Sequence, residues 1–82
     1  METTIIDQKI KVGAIFEGAL IKPVWFKWVN KKFEVKKVNM RWRSKEGSAV
    51  LIHFSVMDGK SLYELSFNQT TMEWRLMKVG SE

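Results

Sequence analysis

Apolar residues recur at every second position along most of this chain, and no window carries the three-and-four spacing of a helical stripe. Ile10, Val12, Ala14 and Phe16 alternate with Lys11, Gly13, Ile15 and Glu17. Phe26 with Trp28, Ile52 with Phe54, Leu65 with Phe67 and Trp74 with Leu76 repeat the pattern. Successive strand side chains point to opposite faces, so each run predicts a strand with one face buried. The expected class is all-β.

Turn residues divide the runs. Gly13 and Gly18 interrupt the first, which marks a bulge or bend, and Pro23 ends it because proline cannot donate to a ladder. Residues 24–29 and 32–43 are expected to pair around Asn30 and Lys31, with Trp28 opposite Phe33, Phe26 opposite Val35 and Lys27 opposite Glu34. The alternation slips at Lys36 and Lys37, where a bulge would keep Phe33, Val35, Val38, Met40 and Trp42 on the core side. Residues 49–57 and 60–67 flank Asp58 and Gly59, a strong hairpin signal. Pairing outward from it sets Phe54 against Tyr63 and Ile52 against Leu65. A turn at residues 68–71 leads to the last strand, with Trp74 opposite Leu65.

These runs predict a six-stranded antiparallel meander. With no amphipathic helix to cover an open face, the sheet is expected to curl into a small barrel of SH3 or OB size, closed by its long first strand. Residues 1–8 are expected to form a lead-in, 9–79 a single β-domain and 80–82 a tail. Eighty-two residues without cysteine must be stabilised by burial, and ten aromatics supply it. The same aromatics would fill so small an interior, which argues against a ligand inside it. No run approaches the roughly 20 apolar residues that span a bilayer, and the first residues lack the pattern of a signal peptide. The cytoplasm is the default expectation, with no membrane partner.

Charge is unevenly distributed. Residues 22–45 hold nine of the fourteen bases and one acid, Glu34, a net of +8, whereas the other 58 residues carry five bases and eight acids, a net of −3. Trp25 has the opposite parity from Phe26 and Trp28 and shares its face with Lys27, Lys32 and Lys36. An indole among lysines on a strand suits a phosphate backbone with stacked bases, although Trp25 at a barrel end could instead close the core. The lysine run likewise has two readings, a working electrostatic surface or an edge strand protected against aggregation.

Catalytic chemistry has little to stand on. There is no cysteine nucleophile, no glycine-rich phosphate loop and a single histidine, so no enzyme activity, metal or cofactor is expected. His53 is expected to face Glu64, and Glu64 to face Arg75, as a polar row on the outer face. Trp28, Trp42 and Trp74 fall on the expected core face.

From Trp25 to Val79 the chain resembles a small prokaryotic domain of unknown function. The resemblance is carried by Trp25 and Trp28, Phe33 and Val35, Trp42 and Arg43, Tyr63, Leu65 and Phe67, and Trp74 and Leu76. It implies a β-domain and a prokaryotic source, and transfers no activity. Cold-shock and RNA-recognition domains are similar in size, but their paired aromatic motifs are missing.

The functional expectation is a non-catalytic module that contacts a polyanion, foremost nucleic acid. Lys27, Lys31, Lys32, Lys36, Lys37, Arg41 and Arg43 would meet phosphates, and Trp25 would stack. The alternative is a protein-interaction or homodimerisation module using an exposed edge strand or the outer residues Leu51, Leu62 and Met77.

Overall fold

Seven strands form from the alternating runs, in a computed structural model that describes residues 2–81: β1 (Glu2–Glu17), β2 (Leu20–Trp28), β3 (Lys31–Glu34), β4 (Lys37–Glu46), β5 (Ala49–Met57), β6 (Ser61–Asn68) and β7 (Glu73–Ser81). They make one antiparallel sheet in the order β3-β2-β1-β7-β6-β5-β4. β1 serves two neighbours: Glu2 to Ile10 lie along β7, and Lys11 to Glu17 lie along β2. The segment expected as a lead-in therefore pairs with the expected tail, Thr3 with Gly80, and with the end of the expected domain, Thr4 with Val79. Residues 1 and 82 lie outside the described residues.

The seventh strand arises because the expected run 32–43 breaks at Val35 and Lys36. There the chain leaves one edge of the sheet and joins the other. Val35 N–H donates to Val24 O at 3.0 Å, and Lys36 N–H to Met57 O at 2.7 Å. The expected barrel does not close. β3 is four residues long and pairs only with Trp25 to Trp28, so the ladder stops short of the rest of β2. β3 and β4 remain edges. Pro23 does not end a strand either. It pairs with Ala14 inside β2, where a bulge at Val24 relieves the ladder.

All three hairpins shift register by two residues at their turns and keep their expected faces there; beyond the Met77 bulge the last one shifts by three, which brings Val79 to the core side. Phe26 pairs with Phe33 and Trp28 with Lys31, because the turn falls on Val29 and Asn30, both left-handed (φ 49° and 60°) as a two-residue hairpin turn requires. Lys27 therefore faces Lys32 rather than Glu34. Phe54 pairs with Leu65 and Val56 with Tyr63, and Trp74 pairs with Phe67. The expected His53–Glu64–Arg75 row is absent: Ser66 lies between His53 and Arg75, and Glu64 between Ser55 and Lys78.

A bulge at Asn39, not at Lys36 and Lys37, resets β4. Val38 pairs with Val56 on the core side, but Arg41 then faces Phe54 and Arg43 faces Ile52. Met40 and Trp42 turn outward, against the expectation that both were core, and Trp42 stacks on His53 at 5.2 Å and 7°. Met77 pairs with neither neighbour in register and Leu62 faces Gly80; Leu51 and Met77 line one cleft with Arg75, whereas Leu62 lines another.

The core is Ile21, Phe26, Ile52, Phe54, Val56, Tyr63, Leu65, Phe67, Trp74 and Leu76. Tyr63 on β6 meets Phe26 (5.0 Å) and Phe33 (5.6 Å), which lie on the far side of the hollow on β2 and β3. Only a strongly curled sheet can bring these rings together. Each fully buried aromatic side chain contributes about 1.5–3 kcal/mol, and a ring pair about 0.5–1.5 more.

Asp58 organises the β5–β6 turn. Its carboxylate accepts from Lys60 N–H and Ser61 N–H, both at 2.8 Å, and from the Tyr63 hydroxyl at 2.9 Å. Burial would push its pKa up, but the bonds from Ser61, Lys60 and Tyr63 outweigh it and hold the carboxyl below its ordinary value. Burial, followed by the bond to Asp58, raises the Tyr63 hydroxyl in turn. A carboxyl with a lowered folded-state pKa stabilises the fold above its unfolded-state pKa, and this is lost as pH falls through the folded value. Asp58→Asn is expected to cost roughly 1–3 kcal/mol at neutral pH. In urea denaturation that difference should shrink as pH drops below the ordinary carboxylate range; a pH-independent difference would contradict this role for the charge.

Candidate polyanion-binding face

The outer face of β1, β2 and β3 is set by the same alternation that buries Val12, Phe26 and Phe33. Lys11 faces Lys27, and Lys27 faces Lys32, so three lysines form one row across three strands. Neighbouring strands are about 5 Å apart. Like charges directly opposite each other are destabilising, on the order of a few tenths of a kcal/mol per pair. Four ion pairs form among the described residues, Lys9–Glu73, Lys36–Glu34, Arg75–Asp7 and Arg75–Glu73, and none relieves this row.

Beside the row lies Trp25, between Gly13 and Glu34. Its indole rests on the bare Gly13 backbone, and a Cβ at residue 13 would collide with Nε1. Lys32 Nζ is 5.1 Å from the ring centroid, within cation–π range. Half-buried Trp25 is thus neither core nor loose: its ring is held on the outer face.

On the other side of the row the sheet opens into a groove. β1 leaves β7 and joins β2 at Ile10 and Lys11, so the tip of the β2–β3 hairpin overhangs the preceding part of β1. The groove has a volume of about 580 Å³, and Lys9, Lys11, Lys27, Trp28 and Val29 line it. Trp28 Nε1 donates to Gln8 Oε1 at 3.1 Å across it. Val29 stands exposed at its mouth in a left-handed conformation that a β-branched residue adopts at a cost.

The structure separates the other expected contacts. Lys31 lies over the Phe33 ring at 5.7 Å, Lys36 pairs with Glu34 at 3.5 Å, and Lys37 lies beside Met57. Arg41 and Arg43 point to the opposite side of the sheet from Lys27 and Lys32. Lys9 and Lys11 were not among the expected contacts. Their parity, opposite to Ile10 and Val12, signalled an outward position, but their neighbours, Arg75 on β7 and Lys27 on β2, could not be read from the sequence.

Other clefts are less suited to a polyanion. One of about 510 Å³, lined by Met40, Trp42 and Leu62, carries one charge of each sign, Glu64 and Lys78. Another surrounds Arg75, which Asp7 (2.9 Å) and Glu73 (3.1 Å) already neutralise. Ser44 Oγ and His53 Nε2 share a hydrogen bond at 2.7 Å, but the buried Nδ1 has no partner among the described residues to fix the tautomer that a general base needs.

Comparison of the chain with protein-family models, with curated proteins and with solved structures returns no match. The functional reading therefore rests on geometry.

Gly13→Ala is expected to dislodge the indole and cost about 1–3 kcal/mol. In a Trp25→Ala background the same change should be nearly neutral or stabilising, because alanine is favoured over glycine inside strands. A double-mutant cycle by urea denaturation measures this coupling. Equal costs in both backgrounds would show that the ring does not depend on Gly13.

Proposed function

We propose that the protein is a non-catalytic binding module that holds single-stranded nucleic acid, without strong sequence preference, against the outer face of β1, β2 and β3. The observation that carries this reading is the uncompensated row Lys11, Lys27 and Lys32. A fold gains nothing from three lysines placed opposite one another, whereas a phosphate backbone gains from all three. Lys9, which pairs with Glu73 at 3.6 Å, lines the groove beyond the row, and Trp25 offers a ring on which a base can stack. Both are prepared before binding, which lowers the cost of ordering them.

Stability and binding should oppose each other at this row. Lys27→Gln is expected to raise stability by a few tenths of a kcal/mol while weakening oligonucleotide binding. The slope of log affinity against log salt should become shallower by about 0.7, as for one lost phosphate contact on a single strand. Anisotropy titrations at several salt concentrations, beside urea denaturation, test both. Salt-independent binding, or a Lys27→Gln protein that is less stable and binds as before, would overturn the reading.

A further inference from the structure

We propose that the open seam between β2 and β4 accepts an extended segment of a partner protein, alternating acidic and apolar residues, as an added strand on β4. Two unpaired strand edges border this seam. β4 pairs with β5 alone, so its other edge presents free backbone groups. β2 pairs with β3 only from Trp25 onward, which leaves residues 20–23 unpaired on that side. Ala19, Leu20 and Ile21 on one wall and Arg41, Trp42 and Arg43 on the other enclose a cleft of about 200 Å³, with Ile52 and Phe54 at its base. Such edges are templates for another strand, and main-chain hydrogen bonds supply affinity in that mode.

Charge selects the occupant. The Asn39 bulge places Arg41, Arg43 and Lys45 at two-residue spacing on one face of β4, opposite Phe54, Ile52 and Val50. Arg41 lies 5.9 Å from the Phe54 ring, and among the described residues neither arginine forms an ion pair. β4 carries four bases and one acid. A second copy paired through β4 would set these bases against their own kind, which disfavours homodimerisation by this edge. An acidic strand gains at each of them. The alternate positions of such a strand would meet Met40 and Trp42, and Met40 is 61% exposed. An acid–apolar–acid alternation therefore matches both faces of β4.

The probe is an acetylated, amidated peptide of sequence Thr-Glu-Val-Glu-Val-Glu-Thr. Its controls replace the glutamates by lysines, or the valines by prolines that cannot donate. The glutamate peptide is expected to slow amide exchange at alternate residues of β4 at least tenfold. The proline peptide, and an Arg41→Gln/Arg43→Gln protein with the glutamate peptide, should each bind at least tenfold more weakly. Lys27→Gln should leave peptide binding unchanged, which separates this site from the nucleic-acid face. Equal binding of the glutamate and proline peptides would overturn the proposal, since charge alone would then suffice. So would slowed exchange on β1 to β3 instead of β4, displacement of the peptide by oligothymidylate, or no saturable binding at millimolar peptide.

Discussion

The packing of Tyr63 against Phe26 and Phe33 is the contact on which the rest of this structure depends. Tyr63 sits on β6 and its partners on β2 and β3, so β1 and β7 lie between them in the sheet. A flat sheet would leave these rings in water, with no helix to cover them. Curling the sheet until its own face fills the hollow removes them from solvent. Bulges at Val24, Asn39 and Met77, and at Ile6 and Asp7 on β1, supply the bends. Arg75 braces the last of these, donating to both the carboxylate and the carbonyl of Asp7.

The curl also distributes the charge. Once the inner face is committed to aromatics, Lys11, Lys27 and Lys32 take the outer face, and antiparallel pairing lines them up. The Asn39 bulge sends Arg41 and Arg43 the other way, to the seam that the short β3 leaves open. A basic stretch continuous in sequence thus becomes two basic surfaces with different chemistry. One combines lysines with an indole laid flat; the other combines arginines with free strand edges. The first suits phosphates and the second a peptide backbone.

Alternation made the strands and their faces legible, because its period of two assigns each side chain to a face without reference to partners. It could not fix register. A shift of two residues preserves every face, and all three expected hairpins were displaced by that amount next to their turns. The turns decided the matter: Val29 accepted a left-handed conformation that its side chain disfavours, and the Asp58 carboxylate stabilised a wider loop than Asp58 and Gly59 alone would make. Asn39 carries no mark of a bulge in the sequence, so Trp42 and Met40 were expected in the core. Lys27 was an expected phosphate contact, but the register shift exchanges its expected neighbour Glu34 for Lys32 and so creates the row. Trp25 and Lys32 were found on the expected face; Lys9 and Lys11 depended on knowing that β1 passes from β7 to β2.

The most direct test of the account is an amide and indole chemical-shift titration of the intact protein with short oligothymidylate at low salt. The expected result is a saturable set of shifts at Lys9, Lys11, Gly13, Lys27, Lys32 and the Trp25 indole, reversed by added salt. Shifts confined to β4 and the cleft beside Trp42, or no shifts at low salt, would contradict it.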